Sequence, residues 1–437
     1  MELFIAVGVL FGLMILGMPL FICFGSSALV AIFLLDMGFG QVTSKAFGVL
    51  DSFPIMAIPF FVLAGDLMAK GGLASKLIDL AYAILGRVRG GLGFVIILSS
   101  MFFGALSGSA TATSAAIGSV MIPRMEHYGY QRCYSSALAG ASGWLGALIP
   151  PSMVLIIYGV VANQSIAALF LSTVIPGIML GFLFMVVNFW LSPRYMMTNV
   201  SAEEEHPSEF GFTEYMKGIR QAFYRALPAL TTPLIILGGI YGGAFTPTEA
   251  GAVACAWAII TGTLVYRSLP AREIIASLLE GAVLTASIFI IVTFVAVFSR
   301  VLIVNYVPQT LLDFMLSLST KKYVILLLIN MVVLISGMFI EGITIVLVLC
   351  PLLLPIVKAF HVDLIHFGAI LCLNIGIGTI TPPMAINIFV ASSVGEVSIQ
   401  EITKPILVFL LLGSLPVLIL TTYIPSLALW LPRLIMK

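Results

Sequence analysis

Charge is what this sequence has least of. Only 9% of its 437 residues are Asp, Glu, Lys or Arg, against about 25% in soluble domains. No charged residue occurs between Gly90 and Pro123, and none between Cys133 and Pro193. A helix needs roughly 20 apolar residues to cross a bilayer, so these runs exclude a soluble globular chain. The net charge of +1 excludes the basic surface that nucleic acid demands. Histidine and cysteine are scarce too. The five cysteines (Cys23, Cys133, Cys255, Cys350, Cys372) stand singly among apolar residues without CxxC spacing, which excludes a metal cluster and a disulfide framework. The four histidines (His127, His206, His361, His366) fall in apparent loops, and neither an H-E-x-x-H nor a G-x-S-x-G pattern is present. An intramembrane enzyme, the rival class, therefore has nothing to work with. The opening stretch "MELFIAVGVLFGLMILGMPL" lacks a basic n-region and a small-residue cleavage site; it reads as a retained span.

What is there is hydrocarbon: 61% of residues are hydrophobic and the mean hydropathy is +1.17. Apolar spans are expected at 3–35 (interrupted at Gly17–Pro19), 54–69, 94–122, 132–163, 167–192, 228–244, 248–267, 275–299, 323–356, 364–395 and 405–431. The result is an all-α polytopic membrane protein. The longest polar interruption, Arg194 to Arg225, contains "SAEEEHPSEFGFTEYMKGIRQAF". Its second half is amphipathic, which predicts a linker followed by a helix lying along the interface, at the seam between two halves. In "FTPTEA", Thr246, Pro247 and Glu249 spell a capping box that opens the next helix.

The two halves repeat one another. "GALIPPSM" starts at Gly146 and "GTITPPMA" at Gly378, 232 residues on; Pro123 of "MIPRM" recurs at the same offset as Pro355 of "LLPIV". Proline inside a helix removes a donor and clashes with the carbonyl four residues back, at a cost of about 3 kcal/mol. One such proline reads as a packing kink; two Pro-Pro pairs at repeat-equivalent positions read as paired broken helices. Freed carbonyls cannot face lipid. In secondary transporters such breaks line a midplane site, with unwound carbonyls facing cations and helix N-termini facing anions. The partner segment "GALSGSATATSAAIGS" (104–119) carries Ser107, Ser109, Thr111, Thr113 and Ser114 among small residues. Small residues serve close helix packing, but this many hydroxyls exceed that need. The charge-free run is also too long for one span, and it predicts a re-entrant hairpin with its tip at Ser107–Ser109. In the second half the tip falls at Ser336–Glu341, and Glu341 is an intramembrane carboxylate, either functional or structurally paired.

The phrases "GALSGSATATSAAIGSVMIPRM", "GASGWLGALIPPSMVLIIYG", "GGIYGGAFTPTEAGAVA" and "LNIGIGTITPPMAINIFVAS" make the chain similar, over nearly its whole length, to the large membrane subunit of tripartite ATP-independent periplasmic (TRAP) transporters. The resemblance implies a multi-pass protein of the bacterial inner membrane that imports organic acid anions with sodium. It also implies a small membrane subunit and a soluble periplasmic binding protein as partners, and a fold of two inverted repeats with an elevator-like transport domain. The sialic-acid type is the specific expectation. A C4-dicarboxylate or other carboxylate permease of the same kind, and a stand-alone ion-coupled anion permease, are the alternatives. The expected division is scaffold at 1–93, first hairpin and broken helix at 94–165, scaffold at 166–322 with the linker at 194–227, second hairpin and broken helix at 323–395, and a last span at 396–437.

Sodium as the co-transported ion calls for oxygen ligands, and one site is expected in each half. The first uses Ser107 or Ser109 with carbonyls around Gly146, Ile149 and Pro151. The second uses Ser336 and Gly337 with Gly378, Thr381 and Pro383. The anion is expected between the tips, near Ser109, Thr111, Thr113, Glu341 and Asn387; Asn387 takes the place of Leu155 at the repeat offset. No organic cofactor is expected. Basic residues in short loops (Arg87, Arg89, Arg124, Arg132, Arg267, Arg272, against Lys358) put the base of the first hairpin on the cytoplasmic side.

Overall fold

The computed structural model describes residues 2–88, 90–196 and 212–436, and apart from one isolated bridge between Tyr130 and Met196 the described residues form helices, turns and loops only. In chain order the helices are α1 (Glu2–Ile15), α2 (Leu20–Leu34), α3 (Phe39–Leu50), α4 (Ala57–Lys70), α5 (Leu73–Leu85), α6 (Gly91–Ser107) and α7 (Ala110–His127). Then come α8 (Arg132–Gly143), α9 (Leu145–Leu148), α10 (Met153–Ala162) and α11 (Ile166–Leu191). The middle of the chain forms α12 (Phe212–Tyr241), α13 (Pro247–Ile260), α14 (Ala271–Val304) and α15 (Val307–Leu318). The last part forms α16 (Lys322–Gly337), α17 (Gly342–Ala359), α18 (Leu364–Gly378), α19 (Ile386–Gly395), α20 (Ile399–Phe409), α21 (Leu415–Tyr423) and α22 (Ser426–Ile435). Eight of the described helical segments are long and apolar enough to cross a membrane. Helices satisfy their backbone internally, which is what lipid requires.

The 3–35 span breaks at Gly17–Pro19 as expected, into two helices turned at Gly17 (φ 74°) and Pro19 and tied by Ser27 Oγ donating to the Ala6 carbonyl at 2.7 Å. Other expectations are redrawn. The interfacial helix and the 228–244 span are one continuous 30-residue helix, α12, which holds Pro228 and Pro233 internally. The Pro228 carbonyl accepts from Thr231 Oγ1 at 2.9 Å and Trp257 Nε1 at 3.1 Å, which ties α12 to α13, and the helix runs on through both prolines. Residues 405–431 turn at Ile424–Pro425 into α22 rather than crossing once. The acidic run Glu203–Glu205, His206 and Arg89 lie outside the described residues. His366 is not in a loop: it sits in the first turn of α18, buried, its Nε2 2.7 Å from the Thr421 carbonyl. The capping box stands as expected, with Thr246 Oγ1 accepting from the Glu249 amide and the Glu249 carboxylate accepting from the Thr246 amide.

The repeat survives at the level of elements. α7 and α17 each have 18 residues and begin and end 232 positions apart, and α8 and α18 begin 232 apart. Beyond the Pro-Pro pairs the offset is 233, because α10 begins at Met153 and α19 at Ile386. The second half carries one extra residue there, so Asn387 is the counterpart of Val154 and not of Leu155. The halves interlock crosswise: α10 packs on α17, and α19 packs on α7 and α8.

Around this core, α11 packs on α6, α9, α10 and α18, and α20 on α8. Tyr134 donates to Asn188 Oδ1 at 2.8 Å and Asn188 Nδ2 donates to the Gly90 carbonyl at 3.1 Å, tying α8, α11 and the start of α6 together. On the other side α4 packs on α13, α5 on α12, and α2 and α3 on α14. These helices meet the core through α4 and α5 on α6, and α14 and α15 on α17.

Candidate functional site

Pro150 and Pro151 leave the carbonyls of Gly146 and Ala147 without their helical donors; Pro382 and Pro383 do the same for Gly378 and Thr379. Three of these four carbonyls find substitute donors. Cys372 Sγ lies 3.5 Å from the Ala147 carbonyl, the Thr381 amide donates to Gly378 at 3.0 Å, and the Asn387 amide donates to Thr379 at 3.0 Å. Each hairpin tip lies against the break of its own half. The Met153 amide reaches the Gly108 carbonyl at 3.5 Å, and the Ala385 amide reaches Met338 at 3.3 Å.

Glycine makes the approach possible at two matched places. A Cβ on Gly104 would stand 2.6 Å from Gly146 Cα, and one on Gly378 would stand 2.5 Å from Gly337 Cα. No larger residue fits either contact. Sequence reasoning selected Gly146, Gly337 and Gly378 for their carbonyls and missed that their bare Cα atoms set the spacing.

At the first tip, Ser107 Oγ and Thr113 Oγ1 are 3.0 Å apart, and Thr113 Oγ1 donates to the Ser109 carbonyl at 2.8 Å. Ser109 Oγ caps α7 by accepting from the Ala112 amide at 3.3 Å and lies 3.2 Å from Thr111 Oγ1. Gly146 packs on Thr113 and on the Ser109 carbonyl, and Gly108 (φ 61°) faces the Pro151 carbonyl. The structure thus brings Ser107, Ser109, Thr113, Gly146 and Pro151 together. Ile149 turns its side chain toward Gly177 of α11.

The second tip is looser. Ser336 Oγ donates back to Val332 at 2.8 Å and Thr381 Oγ1 to Ile377 at 2.7 Å, while Pro383 is exposed. Here Gly337 and Gly378 touch, but the hydroxyls of Ser336 and Thr381 are spent on their own helices.

Between the tips is a cavity of about 80 Å³ reached by Ser109, Thr111, Glu341, Thr379 and Asn387 and walled by Met153, Val154, Ile375 and Cys372. Four helix N-termini open on it: α7 at Ser109–Thr111, α17 at Glu341–Ile343, α10 at Met153–Val154 and α19 at Ile386–Asn387. Each N-terminus carries about half a positive charge, so the cavity favours an anion. Asn387 is fully buried on its wall with neither Oδ1 nor Nδ2 hydrogen-bonded, and leaving such an amide unpaired costs about 1–3 kcal/mol. Thr113 is behind the tip, not in the cavity. Met153, Val154, Cys372 and Thr379 were not anticipated; Thr379, three residues ahead of Pro382, is the one that the Pro-Pro pair could have flagged.

A second cavity of about 580 Å³ adjoins the first at Ser109 and Met153. One wall is the small-residue face of α7 (Ala112, Ala115, Ala116, Ser119); the other comes from α4, α5 and α14. There Lys70 holds Asp66 at 3.0 Å and Glu280 at 2.7 Å. Among the described residues no cluster of His, Cys, Asp or Glu could hold a metal ion.

Helices broken at matched positions, hairpin tips docked on the breaks and an anion-favouring cavity between them define a membrane permease built from two related halves. The comparisons agree. The family model described as "Tripartite ATP-independent periplasmic transporter, DctM component" matches residues 7–427. The isethionate TRAP transporter permease protein DctMQ of Oleidesulfovibrio alaskensis is 39% identical over 96% of this chain, which spans 65% of that protein's length. The sialic acid TRAP transporter large permease protein SiaM of Vibrio cholerae is 37% identical over 97% of this chain and 96% of SiaM. The C4-dicarboxylate large permease DctM of Pseudomonas aeruginosa is 38% identical over 89% and 88%. In fold the chain is similar to the YdaH transporter of Alcanivorax borkumensis, with a TM-score of 0.66 at 15% identity over 90% of this chain and 89% of that one. The chain belongs to the DctM family, the large membrane subunits of TRAP transporters, and is a multi-pass protein of the bacterial inner membrane.

Proposed function

We propose that the chain imports an organic acid anion together with sodium, receiving it from a periplasmic binding protein and working with a small membrane subunit. The observation that carries the anion is the convergence of four helix N-termini on one cavity. The fused DctMQ relative supports a small subunit as the natural companion. Sodium binds at the first tip among Ser107, Ser109, Thr113 and the carbonyls that Pro150 and Pro151 free. A second ion binds where Gly337 meets Gly378.

The substrate is a hydroxylated acid of the sialic kind rather than a dicarboxylate. Its carboxylate lies near the N-termini of α7, α10 and α19 with the Asn387 amide. Glu341 faces the same cavity and would repel a second carboxylate, whereas it accepts hydrogen bonds from hydroxyl groups. The remainder of the molecule extends past Ser109 and Met153 into the larger cavity.

The interlocked hairpins and broken helices move as one body relative to α1–α5 and α12–α15, in an elevator-like displacement between inverted halves. The crosswise packing of α10 on α17 and α19 on α7 supports a single body, and the packing of α11 and α20 adds them to it. The small face of α7 leaves room to slide. Uptake by proteoliposomes holding the full-length chain and its small subunit tests the reading. Uptake of sialic acid should require an inward sodium gradient and the binding protein. Uptake without the binding protein would mean a stand-alone permease, and preferential uptake of a C4-dicarboxylate would overturn the substrate assignment.

A further inference from the structure

On the surface away from α4 and α14, α11 and the end of α20 with the turn that follows it enclose an apolar groove of about 310 Å³, walled by Leu183, Val187, Trp190, Val408 and Leu412 and closed at one end by Arg194. A π-helical turn at Leu410–Ser414 widens the second wall. Such turns are rare and often mark functional places. Gly413 leaves no room for a side chain against Phe184, and the Phe184 and Phe409 rings are 5.5 Å apart. The Gln131 amide donates to the Tyr195 carbonyl at 2.9 Å while the neighbouring Arg132 pairs with Glu396 at 3.3 Å, so the end of α11 and the start of α20 lie together and the two walls run antiparallel. Arg194 therefore stands at the same end as Lys404, which precedes Val408 by one turn on the same helix face. Both cations are exposed, and neither has an ion pair or hydrogen bond among the described residues. The nearest acids are engaged: Glu401 caps α20 through the Ser398 amide at 3.3 Å, and Glu396 pairs with Arg132 at 3.3 Å.

We propose that this groove is a binding site for one anionic phospholipid, with an acyl chain against Val187 and Leu412 and the phosphate between Arg194 and Lys404. Depth selects the occupant. Leu183 and Arg194 are separated by about 16 Å of helical rise, close to the roughly 15 Å of hydrocarbon in one leaflet; a partner's transmembrane helix would need twice that. Trp190, 74% exposed beside Arg194, is the residue type that settles at the headgroup level. Walls of mainly apolar side chains accept hydrocarbon, and two rim cations that have no partner among the described residues accept a phosphate. Because α11 and α20 pack on the hairpin core, the lipid would be held by that core rather than by the opposite layer.

The test is native mass spectrometry of the full-length chain, washed in detergent and titrated with phosphatidylglycerol or phosphatidylcholine. One phosphatidylglycerol should stay bound, at least ten-fold more tightly than phosphatidylcholine. Arg194→Gln with Lys404→Gln should remove the preference, and Val408→Trp, which fills the groove and keeps both cations, should remove the lipid. Unchanged unfolding temperatures in detergent would show that these exposed changes leave the fold intact. Equal retention of both lipids, unaltered phosphatidylglycerol binding in the variants, displacement by inorganic phosphate alone, or a polypeptide crosslinking to a cysteine at position 412 would each overturn the proposal.

Discussion

At the scale of single residues, the chemistry concentrates where the backbone is broken. Asn387 has a fully buried amide with no partner on the wall of the cavity between the tips. Asn387→Leu should raise the half-saturating substrate concentration about ten-fold, the loss of one buried hydrogen bond, and leave sodium binding unchanged; loss of both together would make Asn387 a folding residue. Ser107→Ala combined with Ser109→Ala removes two of the hydroxyls at the first tip. The sodium concentration needed for uptake should rise at least ten-fold, measured by uptake against sodium, and an unchanged requirement would dismiss these serines as ligands. Ser107, Ser109, Thr111 and Asn387 were legible because Pro-Pro pairs and hydroxyl clusters are local signals. Met153, Val154 and Cys372 were not, since an apolar residue becomes a cavity wall only through what packs opposite it. The partner of Asn387 in the first half was misread by one position, because an extra residue after Pro383 shifts the offset from the break onward.

At the scale of elements, proline and glycine punctuate the chain, and their reading depends on what replaces the missing donor. The hairpins and broken helices were legible from Pro150–Pro151, Pro382–Pro383 and the glycines around them. α12 was not, because Pro228 and Pro233 look like the same signal but sit singly, five residues apart, inside a helix that continues through them. The short helices α3, α5 and α15 lack a long apolar run, and the π-helical turns at Thr261–Val265 and Leu410–Ser414 look like ordinary helix in sequence. α13 offers a direct measurement. Thr246→Ala removes the cap that accepts from the Glu249 amide, and about 1 kcal/mol of stability should go with it, seen as a lower unfolding temperature in detergent without change in substrate affinity. A drop in transport alone would place Thr246 in the transport cycle instead.

At the scale of the whole molecule, two layers meet along surfaces of unequal character. The core of α6–α10 and α16–α19 is held across its halves by crosswise packing, and α11 and α20 join it. Tyr134, Asn188 and Gly90 tie α11 to the core, and the moving body proposed here takes in α11 and α20, which the expected division placed with the scaffold at 166–322 and the last span at 396–437. Toward α4, α5 and α14 the core offers small residues and a cavity of about 580 Å³. Ala116 faces that cavity together with Leu284 of α14, so α14 is the helix to link it to. Sodium can drive displacement of the core only by binding its two positions unequally. The most direct measurement is uptake by the Ala116→Cys, Leu284→Cys variant, with Cys133 replaced by Ala, before and after a short bifunctional thiol crosslinker. A core that moves as one body predicts that crosslinked protein binds sodium but no longer transports; undiminished transport by quantitatively crosslinked protein would contradict it.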